Sequence, residues 1–338
     1  MKRPTMADIA RRAGVTKGAV SFALNGRPGV SEETRARILA IAEELGWQPN
    51  SAARALSGGR AGAFGLVIDR PARALGVEPF FMQLIAGIQD SLSGEGIPLL
   101  FTVADDASAE IARYRDWWAQ RRVDGVFLVD PRFDDPRVAA LEELRLPAVV
   151  IGGPMEPDGL PAVWSDDASG VRIALDHLAG LGHRSIGHVT GPVGLRHSVH
   201  RAEAFAASVR EYGIEGRSAE ADYSGEQGFA ATRALLTGDA PPTAILYDND
   251  VMAVSGLSAA QQLGVRVPED VALVAWDDSP LCELVRPGLT ALRRDIAAFG
   301  AAAARQLREV SAGHEVADLR VPDPVLVVRA STTGMPGG

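Results

Sequence analysis

Cysteine is almost absent from this chain of 338 residues. Its one thiol, Cys282, excludes an internal disulfide framework and any metal site built on a cysteine cluster. Long apolar runs are missing as well. Hydrophobic residues come in stretches of about four to eight, never the roughly 18 needed to cross a bilayer, so no membrane partner is expected. The opening Met1-Lys2-Arg3-Pro4-Thr5 leads straight into a polar helical pattern without the apolar core of a secretory signal, which makes the expected location cytoplasmic. Aromatic residues reach only 6%. Motifs for chemistry are lacking too: there is no G-x-S-x-G, Walker A, G-x-G-x-x-G or H-E-x-x-H pattern. His197 and His200, spaced i, i+3, could in principle share a metal, but no carboxylate or cysteine accompanies them nearby, so no metal or cofactor is expected. Asp105-Asp106 and Asp277-Asp278 stand at strand ends, where carboxylates cap helices or bind hydroxyls, and no enzymatic role is expected of them.

What the chain does have is length for two or three domains, 46% apolar residues to fill their cores, and an uneven charge. Residues 1–60 hold ten Lys and Arg against five Asp and Glu, although the whole chain carries a net charge of −9. A basic head on an acidic body implies an anionic partner met by the head alone.

Three short helices are legible in that head. Thr5 with Asp8 opens the first, which turns Ile9, Ala10 and Ala13 inward and breaks at Gly14. Thr16 caps the second, with Val20 and Leu24 on its inner face. Ser31, followed by Glu32 and Glu33, opens a third, with Ile38, Ile41, Ala42 and Leu45 on one face and Gly46 as its stop. Two helices joined by a tight glycine turn make a helix-turn-helix, whose second helix reads the major groove. Thr16, Lys17, Gly18, Ser21 and Phe22 are the candidate contacts. An exposed phenylalanine is odd on a plain bundle but suits thymine methyl groups. Beyond it, Pro49 to Gly59 spells a helix of about two turns, too short to stand alone in water, or else a simple linker.

The residues Met6-Ala7-Asp8-Ile9-Ala10, Gly14-Val15, Val20-Ser21, Leu24-Asn25-Gly26, Val30-Ser31, Thr34-Arg35, Pro49-Asn50 and Ala53-Arg54-Ala55-Leu56 resemble the DNA-binding headpiece of the LacI/GalR family of bacterial transcription repressors. That resemblance implies a headpiece over residues 1–48 and a hinge over 49–60. The hinge would pair with its dimer mate in the minor groove through Asn50, Ala53 and Arg54, with Leu56 wedged into the central base step. Phe22 departs from the arginine that many members carry there, so a half-site cannot be borrowed from such a relative.

From residue 61 onward, apolar runs at 65–68, 97–101, 123–129, 147–151, 186–189, 244–247 and 271–275 alternate with helical stretches at 80–94, 105–121, 167–181, 201–212, 226–237 and 250–263. That spacing predicts an α/β fold of doubly wound parallel sheets, two rather than one, with ligands beyond the carboxyl ends of the strands. The adjacent Trp117-Trp118 reads as a buried helix face. Val123-Asp124-Gly125-Val126, Gly182-His183-Arg184-Ser185-Ile186, Tyr247-Asp248-Asn249-Asp250 and Arg286-Pro287-Gly288-Leu289-Thr290 carry the family resemblance into the body. Through it they point to the two-lobed periplasmic sugar-binding proteins. The resemblance implies an N-lobe of about 61–163 plus 291–320 and a C-lobe of about 164–290 plus 321–338. It also implies an effector cleft between the lobes, gripped by Arg201, Asn249, Asp277 and Tyr223, with Asp69, Phe80 and Phe81 from the N-lobe and Arg196 and His197 from the loop before Arg201. Asp250 reads instead as a helix N-terminal acid.

The expected function is a regulator, a repressor by the resemblance, that binds near-palindromic double-stranded operator DNA as a homodimer under the control of a small polar ligand, most simply a sugar. Residues 330–338 lack a leucine heptad, which favours a dimer over a tetramer. The rivals are a free-standing solute-binding protein, which would need a signal peptide and no helix-turn-helix, and an enzyme, which would need a catalytic motif.

Overall fold

Thr5 starts the first helix: its backbone N–H and its hydroxyl donate to the Asp8 carboxylate at 2.9 and 2.6 Å. In the computed structural model, which describes residues 4–47, 60–70, 75–153 and 159–333, this helix, α1, runs Met6–Ala13 and ends on Gly14 at φ +67°. That left-handed backbone favours glycine. Helix α2 (Lys17–Leu24) begins on Thr16, whose Oγ1 accepts from the Ala19 N–H at 3.2 Å, and α3 (Glu32–Glu44) begins on Ser31, which accepts from Thr34. Ile9, Ala10, Ala13, Val20, Ala23, Ile38 and Ala42 form one small core, with Leu24, Ile41 and Leu45 packed half-buried around it. Arg35 donates to the carbonyls of Ala23 and Arg27, pinning the loop between α2 and α3.

Contacts divide the chain into Met1–Ala61 and Gly62–Gly338. The second unit alternates strand and helix: β1 (Phe64–Asp69), α4 (Pro79–Ser93), β2 (Leu99–Ala104), α5 (Ala107–Ala119), β3 (Gly125–Val129), α6 (Pro136–Leu144), β4 (Ala148–Ile151), β5 (Ala162–Trp164) and α7 (Asp167–Gly180). Then follow β6 (Ser185–Thr190), α8 (Arg196–Glu211), β7 (Glu215–Glu220), α9 (Gly225–Leu236), β8 (Ala244–Tyr247), α10 (Asp250–Gln262), β9 (Ala272–Trp276), α11 (Pro280–Leu284), β10 (Thr290–Arg293), α12 (Ile296–Ser311), β11 (Leu319–Arg320) and β12 (Val325–Val327). Two sheets result, ordered β11-β5-β4-β3-β1-β2 and β12-β10-β9-β8-β6-β7. All pairings are parallel except β10 with β12. In each sheet the winding reverses between the first strand and the third, at β1/β3 and β6/β8, and a crevice opens beyond the strands at such a point.

Four details depart from the sequence reading. Strand β10 pairs with β9, so the chain returns to the first lobe after Arg293 rather than at residue 291. Strand β7 reads Glu-Gly-Arg-Ser-Ala-Glu, a sheet edge with too little apolar content to be recognised. Helix α8 begins at Arg196, so Arg196 and His197 belong to its first turn and not to a preceding loop. Trp117 is buried but Trp118 is 50% exposed, because neighbouring residues on a helix point about 100° apart.

Helices α4 and α12 cross closely over the first sheet. A Cβ on Gly87 would overlap the Ala297 carbonyl, and one on Gly300 would overlap that of Leu84. We therefore expect Gly87→Ala to force the two helices apart and destabilise the protein by about 1–3 kcal/mol. Gly94→Ala, at the open end of α4 with right-handed φ, is expected to be neutral or stabilising by up to about 1 kcal/mol. Urea unfolding of both variants checks the contrast.

Candidate functional site

Two surfaces gather the residues singled out in the sequence. On the first unit, α2 presents Lys17, Gly18 and Phe22 outward, with Thr16 exposed at its N-cap and Ser21 half-buried. Phe22 is 41% exposed and lies over Gly29, where a Cβ would come within 3.2 Å of the ring. The ring is thus propped by the loop from below while its other side faces solvent. Asn50, Ala53, Arg54 and Leu56 lie outside the described residues.

The second surface is a cleft between the two sheets, partly open to solvent. It is built from strand ends. Arg70 follows β1, Asp130 follows β3, Ser165 and Asp167 follow β5, Asp248 and Asn249 follow β8, Asp277 follows β9 and Arg294 follows β10. Phe80 and Phe81, edge to face at 5.3 Å, come from the first turn of α4, and Tyr223 comes from the loop after β7. Of the sequence candidates, Phe80, Phe81, His197, Arg201, Tyr223, Asn249 and Asp277 line this one cavity.

Arg201 is 4% exposed and fixed on three sides. Its Nε donates to Asp167 Oδ1 at 2.9 Å, an Nη1 hydrogen goes to the Asp248 carbonyl at 2.9 Å, and the guanidinium lies 3.8 Å from the Trp276 ring centre. Burial works against its charge, but Asp167 and then Asp248 outweigh it and hold the guanidinium firmly protonated. The fork is therefore preorganised by the protein before any ligand arrives. Arg70 pairs with Asp130 at 2.8 Å and reaches across the cleft to within 5.0 Å of the Tyr223 ring centre. Arg294 donates to Asp277 at 2.7 Å and stands 5.7 Å from the Phe80 ring centre. Both thus link one lobe to the other.

The Tyr223 hydroxyl meets His197 Nε2 and Ser198 Oγ, each at 2.8 Å. Burial pushes its pKa up, with Asp248 adding to the effect. The same burial, reinforced by Arg201, lowers His197 to about 4 and keeps it neutral. Asp130, Tyr223 and Asp277 all adopt positive φ, at 52°, 70° and 61°. Non-glycine residues hold that conformation only where neighbours impose it.

Three expected contacts sit differently. Asn249 lines the cavity, but its Oδ1 caps α10 by accepting from Met252 N–H and its Nδ2 donates to the Tyr223 carbonyl. It holds the cleft's shape. Asp69 is taken by Arg132 at 2.6 Å and faces a separate neighbouring cavity. Arg196 donates to the Arg132 carbonyl, and its guanidinium lies 4.6 Å from the Phe133 ring centre, clasping one lobe to the other beside the cleft. Asp250 is the first residue of α10 and is pushed up to about 6, chiefly by burial.

Sequence reasoning missed Arg70, Glu78, Asp130, Ser165, Asp167, Asp248 and Arg294. Arg70, Asp130, Ser165, Asp248 and Arg294 directly follow strands, so a rule taking the first residue after each strand would have found them. Among the described residues no group of three or more His, Cys, Asp or Glu is placed to hold a metal, and no helix is long and apolar enough to cross a membrane.

Comparison with known proteins places these features. Residues 5–50 match the family of bacterial regulatory proteins of the lacI type, and residues 175–332 match the periplasmic binding protein-like domain. The chain is 34% identical to the HTH-type transcriptional regulator reg1 of Streptomyces lividans, over 98% of its own length and 97% of that protein. The solved complex of the transcriptional regulator CelR with cellobiose superposes with a TM-score of 0.75 at 30% identity, covering 97% of this chain and 100% of that one. The lac repressor dimer bound to operator and the anti-inducer ONPF gives 0.84 at 26% identity, over 98% and 99%. With its helix-turn-helix and its two-lobed parallel-sheet body, the chain belongs to the lacI family of bacterial transcriptional regulators.

Proposed function

We propose that this regulator is a homodimeric repressor whose operator affinity is set by a sugar bound in the cleft, without chemical change to that sugar. One observation carries the reading. Phe80 and Phe81 from one lobe converge with His197, Arg201, Tyr223 and Asp277 from the other on a single cavity, in a chain that opens with a helix-turn-helix. The cavity offers what a sugar needs: aromatic faces for its C–H surface, carboxylates that accept from hydroxyls, and a fixed guanidinium that donates to oxygens. The CelR–cellobiose complex supports the ligand class.

In the helix-turn-helix, Lys17, Gly18, Ser21 and Phe22, with Thr16 at the helix start, are the proposed major-groove contacts. Asn50, Ala53, Arg54 and Leu56 are the proposed minor-groove contacts, and the site of action is the cytoplasm. Coupling follows from differential affinity: a ligand shifts operator binding only as far as it prefers one arrangement of the lobes.

Two outcomes are expected. If the basic head of a dimer neutralises about six to ten phosphates, affinity for an operator selected from a random duplex pool should fall by roughly 10³–10⁵ between 50 and 200 mM salt. A flat dependence in a filter-binding titration would count against the assigned head. Arg201→Lys keeps a charge beside Asp167 but loses the planar fork, so it should weaken effector binding at least about tenfold and leave effector-free operator affinity intact. Calorimetry with cellobiose and other neutral sugars measures the first effect. A variant that responds at the wild-type sugar concentration would place the effector elsewhere.

A further inference from the structure

Each guanidinium lining the cleft already has its counter-ion: Arg70 with Asp130, Arg201 with Asp167, Arg294 with Asp277. Two polar groups lack such a partner. Glu78, the residue before α4, is half-buried in the cavity lining; it makes no side-chain cap to its helix and no hydrogen bond among the described residues, and the opposite charge that acts on it, Arg70, is already paired with Asp130. Ser165 is 94% buried in the same lining, and its hydroxyl meets no partner. Buried polar groups in native proteins are satisfied as a rule, so the Ser165 hydroxyl, an orphan in a cavity wall, marks where a ligand completes the bonding, and the Glu78 carboxylate lines the same space.

We propose that Glu78 and Ser165 are direct ligand contacts and that they restrict the cleft to an uncharged, hydroxyl-rich ligand, turning away sugar phosphates and sugar acids. The proposal rests on the reading of the cleft as a sugar site and narrows it. With the three guanidiniums neutralised and His197 uncharged, an entering anion finds no spare cation and must be desolvated facing the Glu78 carboxylate. A ligand hydroxyl finds the opposite: a charged acceptor at Glu78, worth more than a neutral one, and a hydroxyl at Ser165 that can donate or accept. Glu78 is held up at about 7, first by burial and then by Asp130, Asp277 and Asp250, against the pull of Arg70. Its ionised, accepting form therefore grows as pH rises through neutrality.

The test uses the full-length protein, with isothermal calorimetry against neutral mono- and disaccharides including cellobiose, and against glucose 6-phosphate and glucuronate. Wild type should bind at least one neutral sugar and neither anion, more tightly at pH 8 than at pH 6. Asp250, at about 6 and hydrogen-bonded by Ser279, titrates in part of the same range, so the comparison with Glu78→Gln assigns the effect. That isosteric variant should lose about tenfold for the neutral sugar, flatten the pH dependence, and admit the anions more readily. A residue with a purely structural role would move both ligand classes in one direction. Ser165→Ala should weaken the neutral sugar several-fold. Wild type binding an anionic sugar as well as a neutral one, or Glu78→Gln with unchanged affinities, overturns this proposal and leaves the sugar reading standing. Binding of no sugar of either class overturns both.

Discussion

Burying charge between two lobes is the constraint on which the cleft depends. A guanidinium out of water is tolerable only with a carboxylate in good geometry and its remaining hydrogens placed. Arg70, Arg201 and Arg294 meet that demand with acids from neighbouring strand ends, at 2.7–2.9 Å. Arg70–Asp130 and Arg294–Asp277 tie segments that follow strands, and Arg201–Asp167 ties α8 to the start of α7, so satisfying the charge also fixes these elements. The cavity's shape is a consequence of its electrostatics.

Behind each switch point stands a second, fully buried network that sets the strand ends. In the first lobe, Arg137 binds Asp135 and Glu110 and donates to the carbonyls of Val129 and Asp130. This fixes the backbone where Asp130 turns to positive φ. In the second, His188 Nε2 lies 2.8 Å from Asp248 Oδ1, and Asp248 Oδ2 accepts from the Gly191 N–H. Burial alone would raise Asp248, but His188 and then Arg201 hold it below the usual carboxylate range. The carboxylate thus stays ionised at the turn whose carbonyl orients Arg201. Gly191 is needed here because any Cβ would overlap the Tyr223 ring. The ring in turn sits where Asn249 holds its backbone.

Much of this was legible before the structure. The headpiece caps Thr5, Thr16 and Ser31 and the stops Gly14 and Gly46 are local chemistry, and local chemistry reads directly from sequence. The alternation of apolar runs gave the two sheets for the same reason. Strand β7 and the crossing after Arg293 escaped because an edge strand and a lobe change depend on partners distant in the chain. At the cleft, the residues named by resemblance include Arg201, Asn249 and Asp277, which the fold brings to one cavity, while Arg196 lies beside it; what the resemblance does not display is how Asn249 and Arg196 are engaged within the protein. Their side chains are taken by a helix cap and by an inter-lobe clasp, partners no motif displays. Glu78 went unnoticed because it stands in no motif, and only the fold brings it to the cavity wall.

That clasp limits what an effector can accomplish. Arg196 N–H donates to the Pro131 carbonyl, its Nε donates to Arg132, and Phe133 packs beneath its guanidinium and against His200. The lobes are therefore already joined beside the cleft by groups that need no ligand. A sugar touching Phe80 and Glu78 on one side and Arg201 and Tyr223 on the other would add to an existing bias rather than create one. Its regulatory effect then equals the difference between its contacts in this arrangement and in a more open one, not its total affinity. Contacts confined to one lobe move with that lobe and contribute to binding alone. Contacts that span the cleft change the equilibrium, so under the proposed function the coupling would reside in the side chains that face each other across it.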